Sequence, residues 1–144
     1  MQIKAIKEYI PHREPFLFVD EIICLDSNKI ETRFTVTQNA EFFKGHYPSN
    51  PLTPGVIICE SVFQSAAILI SSLIITPDNP LKGTPVLTRI TNAKFKGMVK
   101  PNETLIIQAE IIERLQNTWF LKGKVLKNDK TILVIEFAVN LVEG

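Results

Sequence analysis

Ser61-Val62-Phe63-Gln64-Ser65-Ala66-Ala67-Ile68-Leu69-Ile70-Ser71-Ser72-Leu73-Ile74-Ile75-Thr76 runs sixteen residues without a charge. As a helix rising about 1.5 Å per residue it spans roughly 24 Å, short of the ~30 Å hydrocarbon core of a bilayer. Extending it backwards brings in Glu60, a costly residue in lipid. Four serines and Gln64 dilute it, and no basic cluster flanks it to set an orientation across a membrane. The run therefore predicts no membrane span but a helix buried nearly all round inside protein. Thr53-Pro54-Gly55 marks its start and Thr76-Pro77-Asp78-Asn79-Pro80 its end, because proline and glycine punctuate helices in this way.

A helix with no polar face needs a wrapping, and the rest of the chain supplies strands. Ile30, Thr32, Phe34 and Val36 alternate with Glu31, Arg33, Thr35 and Thr37, the period of a half-buried strand. Leu105, Ile107, Ala109 and Ile111 line one face of another, and Leu133, Ile135, Phe137, Val139 and Leu141 one face of the last. Trp119 to Leu126 is a further strand, between turns near Leu115-Gln116-Asn117 and Asn128-Asp129-Lys130. Phe16 to Leu25 and Val86 to Val99 read as strands of weaker periodicity. The expected order is a short helix, two strands, the long helix and about four strands. Strands joined by short turns form an antiparallel sheet with one solvated face. Curled around the helix, that sheet makes one α+β domain over residues 1–144.

The totals agree. The chain has 144 residues, 45% apolar and 22% charged, a globular composition of a size that fits one domain. A formal net charge of +1 gives no global reason to expect nucleic acid. Cys24 and Cys59 lack metal-ligand spacing, so no metal site is expected. The first ten residues have no apolar h-region and no small-residue cleavage site, which predicts a cytoplasmic protein rather than a secreted one.

Just ahead of the long helix lies Glu41-Phe42-Phe43-Lys44-Gly45-His46-Tyr47-Pro48-Ser49-Asn50-Pro51-Leu52-Thr53-Pro54-Gly55-Val56-Ile57-Ile58-Cys59-Glu60. Three prolines and two glycines within residues 45–55 stiffen a loop that carries His46, one of two histidines. Glu60 falls in the second turn of an otherwise apolar helix, where a carboxylate shifts towards the neutral acid. A neutral acid donates a proton and a neutral imidazole accepts one, the division of labour an elimination needs. The first helical N–H groups, at Gly55 and Val56, have no partner within the helix and can hold a thioester oxygen. The plainer readings are a surface or turn-stabilising His46 and a Glu60 paired with a lysine. A nucleophilic Cys59 is a third alternative, but it points about 100° away from Glu60 around the helix.

This run resembles the beta-hydroxyacyl-acyl-carrier-protein dehydratases of bacterial fatty acid synthesis, the FabZ type, whose members carry a hot-dog fold. Gly45-His46-Tyr47-Pro48, Pro54-Gly55-Val56, Glu60 and Gln64 match that family's loop and helix, including the step of fourteen positions from histidine to glutamate. Pro11-His12-Arg13-Glu14-Pro15-Phe16-Leu17 looks like its opening, and Ala93-Lys94-Phe95-Lys96 with Pro101 like its basic strand and turn.

The resemblance implies a homodimer, often assembled further as a trimer of dimers, with His46 from one subunit facing Glu60 from the other. It implies that His46 takes the C2 proton and Glu60 protonates the C3 hydroxyl, while the Gly55 and Val56 amides hold the carbonyl and Gln64 orients Glu60. It implies no cofactor, an acyl carrier protein presenting its phosphopantetheine-linked substrate, and carrier contacts at Lys94, Lys96 and Lys100. His12 is read as a structural residue that holds the N-terminal turn.

The sequence departs from the pattern at Ser49-Asn50, Thr53, Phe63, Gly97 and Pro101-Asn102-Glu103, and Pro85 to Arg89 lacks a common aromatic residue. These differences bear on chain length and carrier recognition. The competing expectations are a hot-dog thioesterase using Glu60 to activate water, and a non-catalytic hot-dog subunit that binds acyl chains or carrier protein.

Overall fold

The computed structural model describes residues 3–75 and 83–143. The helix-ending signal expected at residues 76–80 lies outside them.

The apolar run forms α2, Gly55–Ile74, with twelve of its twenty residues buried. Ala66, Ile68, Leu69 and Ile70 have no exposed surface; full burial of each large aliphatic side chain stabilises the fold by roughly 1.5–3 kcal/mol. Two of the four helix serines, Ser65 and Ser72, are accommodated by hydrogen bonds, while the buried Ser61 and Ser71 hydroxyls find no partner among the described residues. Ser65 Oγ lies 2.8 Å from the Ser61 carbonyl and 2.8 Å from Thr32 Oγ1, and Ser72 Oγ donates to the Leu69 carbonyl at 2.6 Å.

Six strands wrap this helix: β1 (Glu21–Leu25), β2 (Lys29–Thr35), β3 (Thr84–Phe95), β4 (Thr104–Leu115), β5 (Thr118–Lys127) and β6 (Lys130–Val142). They form one antiparallel sheet in the order β1-β2-β4-β5-β6-β3. A short helix α1 (Ile6–Tyr9) precedes them, and a 3₁₀ turn over Glu41–Lys44 leads into the histidine loop. This is the hot-dog architecture, α+β, expected from the sequence.

The alternating positions behave as their period predicts. Ile30, Phe34, Leu105, Ile107, Leu121, Val125, Leu133, Ile135 and Phe137 are buried on the face towards α2. Two strand boundaries differ from expectation. Phe16 to Asp20 forms no strand; the Phe16 and Phe18 backbone is committed to α2 and the Phe18 ring to Phe34, and only Asp20 bonds to β2, through Arg33 and Thr35. β3 ends at Phe95 rather than near Val99. Its periodicity is weak because register shifts at Leu87/Arg89 and Ile90/Asn92 break the alternation, and because it is a sheet edge.

α2 connects β2 to β3, on opposite sides of the sheet. That crossover puts the start of the helix, and the loop before it, beside the β3 edge.

Candidate active site

The histidine loop is held from both ends. Asn50 N–H donates to the Tyr47 carbonyl at 2.9 Å, and Thr53 N–H donates to the Val99 carbonyl at 2.8 Å. His46 Nδ1 lies 2.9 Å from the Leu52 carbonyl, which fixes Nδ1 as the protonated nitrogen and leaves Nε2 as a lone-pair acceptor in the neutral ring. Tyr47 stacks edge-on against the imidazole at 4.7 Å with a backbone φ of 50°, a left-handed conformation that costs a bulky residue about 1–2 kcal/mol. A loop that tolerates this is determined by its surroundings rather than by local preference.

At the helix start, Ile57 and Ile58 N–H groups both donate to the Pro54 carbonyl, at 3.0 and 3.3 Å. The Gly55 and Val56 N–H groups therefore lie ahead of the hydrogen-bond ladder. A Cβ on residue 55 would sit 3.0 Å from the Phe95 ring, so glycine is what lets the end of β3 approach the helix terminus this closely.

Glu60 is partly buried, with 23% of its side chain exposed. Burial pushes its carboxyl above the ordinary value; the hydrogen bond from Gln64 and the charge interaction with His12 oppose that rise without cancelling it. Gln64 Nε2 donates to Glu60 Oε2 at 3.0 Å and to the Phe16 carbonyl at 3.1 Å, and Gln64 Oε1 accepts the Phe18 N–H at 2.8 Å. Gln64 is 1% exposed and its amide orientation is set on both sides. Cys59 is buried next to Glu60; burial first, and the neighbouring Glu60 charge, raise its thiol above the ordinary value against the opposing pull of its backbone hydrogen bond. That works against a thiolate nucleophile.

Within one chain the structure brings together Glu60, Gln64 and the helix start, but not His46 and Glu60. Among the described residues, the histidine within ion-pair distance of the Glu60 carboxyl is His12, whose Nε2 lies 3.7 Å from Oε2. This corrects the reading of His12 as the residue that holds the N-terminal turn. Arg13 does that: its guanidinium donates to the carbonyls of Lys7, Ile10 and His12. The sequence offered little sign of the exchange, since His12 precedes Glu60 by 48 positions.

Lys94, Lys96 and Lys100 are exposed. Lys94 lines a groove of about 680 Å³ on the outer face of the sheet, away from His46 and Glu60. Charges cross that face in register, Lys29 opposite Glu110, Glu110 opposite Lys122, and Lys122 opposite Glu136. Such an alternating ladder is what a solvated sheet face carries. At the Gly97 departure, a Cβ would lie 2.9 Å from the buried Ile132 side chain, so a basic residue there would have to displace the core.

A FabA-like domain model matches residues 10–136. The chain belongs to the FabZ-type family of FabA-like domains. This FabA-like chain is 37% identical over 131 residues to a protein of Coxiella burnetii named 3-hydroxyacyl-[acyl-carrier-protein] dehydratase FabZ, covering 90% of this chain and 92% of that one. It is 36% identical over 141 residues to the FabZ of Petrotoga mobilis, covering 98% of each. Among solved structures it is similar to the dehydratase heterocomplex ApeI:P from Xenorhabdus doucetiae, with a TM-score of 0.84, 12% identity, and 97% and 92% of the two chains covered. A hypothetical thioesterase with coenzyme A from Streptococcus pneumoniae aligns at a TM-score of 0.64 and 14% identity, covering 85% of each chain. At those identities the structural likenesses speak for the fold alone.

Proposed function

We propose that this chain is a single-domain hydro-lyase, residues 1–144, that removes water from (3R)-3-hydroxyacyl thioesters of acyl carrier protein. The products are trans-2-enoyl thioesters for fatty acid or related acyl-chain biosynthesis in the cytoplasm. The observation that carries this reading is Glu60: a carboxyl raised by burial, held by one oxygen on an apolar helix, at the position that matches the family's glutamate.

In the proposed step, His46 Nε2 takes the proton from C2 and the electron pair of that C–H bond becomes the C2=C3 double bond. Glu60 gives its proton to the C3 hydroxyl as the C3–O bond breaks, and water leaves. The Gly55 and Val56 amides hold the thioester oxygen, where charge gathers as C2 loses its proton. His46 then returns its proton to solvent and Glu60 regains one, so the enzyme is restored without a cofactor. Lys94, Lys96 and Lys100 are the proposed contacts for the acidic carrier protein and its phosphate.

His46 and Glu60 do not meet within one chain, which supports a homodimer in which each site takes His46 from one copy and Glu60 from the other. The β3 edge supports the same arrangement. Leu87, Ile90 and Phe95 pair with Val139, Phe137 and Leu133, whose side chains are buried. They lie in the same core-side row, yet are 36%, 49% and 47% exposed; Phe95 meets the helix at its first residue, Gly55. A second β3 laid along this edge would cover them. Further assembly into a trimer of dimers is part of the same proposal.

The test is incubation with a 3-hydroxyacyl carrier-protein substrate, following enoyl product against free thiol. Enoyl product is expected, and its loss in His46→Ala and Glu60→Gln. Free thiol would point to a thioesterase, and neither product to a non-catalytic binding subunit. Full turnover in both variants would remove the assigned roles.

A further inference from the structure

The segment between α1 and β1 runs alongside α2 and touches it at consecutive helical turns. Phe16 and Phe18 grip Gln64 through their backbone, and His12 faces Glu60, one turn earlier on the helix. His12 Nε2 and Gln64 Nε2 both address the same carboxyl oxygen, Oε2, at 3.7 and 3.0 Å. Among the described residues no hydrogen bond reaches Oε1. The other ring nitrogen, His12 Nδ1, is buried with no partner, although a buried polar atom is ordinarily satisfied. With Nδ1 idle, the tautomer carrying its proton on Nε2 aims a donor at Oε2.

We infer that His12 is a positioning residue for Glu60: with Gln64 it holds the carboxyl by Oε2 and presents Oε1 to the substrate hydroxyl. The inference rests on the reading of Glu60 as the proton donor. At 3.7 Å the contact is electrostatic rather than a hydrogen bond, and catalytic contacts of this kind tighten in the reacting complex. It also has a second effect. An oxygen facing His12 is more comfortable as an anion, so His12 restrains the rise in the Glu60 carboxyl that burial imposes. Glu60 can then give up its proton as well as hold it. The groups that bear on this carboxyl are His12 from the N-terminal segment, Gln64 and Cys59 from its own helix, and His46 of the second copy in the proposed dimer.

The role is tested by reading the Glu60 titration directly, in protein with carbon-13-labelled glutamate, the resonance assigned by its disappearance in Glu60→Gln. The comparison is wild type, His12→Phe, His12→Ala and His12→Gln, where glutamine keeps an N–H donor at the Nε2 position. The Glu60 midpoint should move upward in whichever of His12→Phe and His12→Ala folds, and return towards wild type in His12→Gln. In the same variants kcat should fall by about tenfold or more with KM changed by less than about twofold, and His12→Gln should recover most of the loss. A residue that only braced the fold would lower stability without moving the midpoint. An unmoved Glu60 midpoint in a folded His12→Phe or His12→Ala protein would overturn the inference. Because that midpoint needs no turnover, it judges His12 separately from the reaction; absence of enoyl product with wild type would instead overturn the dehydratase reading.

Discussion

The side-chain oxygen of Gln64 accepts the backbone N–H of Phe18 at 2.8 Å, across 46 residues of sequence. Through this bond, and its companion to the Phe16 carbonyl, the N-terminal segment is fastened to the helix turn that carries Glu60. Gln64→Leu keeps the volume but leaves both backbone groups without a partner. Each orphaned group costs about 1–3 kcal/mol, so the variant should lose roughly 2–6 kcal/mol. The loss is read as a lower urea midpoint at unchanged slope, and turnover should fall with it, since Glu60 loses its donor.

Glu60 gives a pH dependence with a definite sign. Its carboxyl is raised in the folded chain, so the folded state binds that proton more tightly than the unfolded state does. The contribution to stability is complete below the unfolded carboxyl value and is lost as pH rises through the raised, folded value. Above the unfolded carboxyl value the buried group is therefore a burden on the fold. Glu60→Gln should abolish dehydration yet melt higher than wild type at pH 7, and the gap should close near pH 4. Calorimetry of the two proteins across that range checks it. Wild-type turnover should decline as pH rises through the same value, because only the protonated acid donates.

The uncovered row on β3 offers a test of assembly. Ile90→Lys places a charge among residues that sit on the core side of the sheet without cover. It should leave a folded chain, by circular dichroism, that sediments as a monomer and makes no enoyl product. The complementary experiment mixes unfolded His46→Ala with Glu60→Gln and refolds them together. In a two-fold dimer with shared sites, half the dimers are mixed and each holds one intact site, so about one quarter of wild-type activity should return. Activity in neither the separate nor the mixed proteins would mean that both residues act from the same chain.

Gly123 sets how closely β5 approaches α2. A Cβ there would lie 2.4 Å from Val62 Cγ1 and 3.1 Å from Ile135 Cγ2, both in the core. Gly123→Ala should destabilise by about 1–3 kcal/mol through overpacking. Adding Val62→Ala removes the closest clashing atom, and the double variant should be more stable than the sum of the two single changes predicts. Thermal melts of the four proteins in the cycle decide this. Val62 lies two residues past Glu60, so the single change should also lower turnover by moving the helix.

Helix α2, the alternation of β2, β4 and β6, the stiff loop around His46 and the isolated acid at Glu60 were all legible in the chain. Each rests on short-range physics: side-chain period, proline and glycine conformations, and one carboxyl among apolar neighbours are expressed within a few residues. Tertiary structure alone decided that His12 and not His46 lies against Glu60 within one copy, that Arg13 closes the N-terminal turn, and that Phe16 to Phe18 is drawn onto the helix rather than into the sheet. It also decided that β3 is an edge whose core-side row is left uncovered. Those outcomes depend on how the sheet curls around α2 and which distant backbone groups it brings within hydrogen-bond reach, and no local pattern in the sequence encodes that geometry.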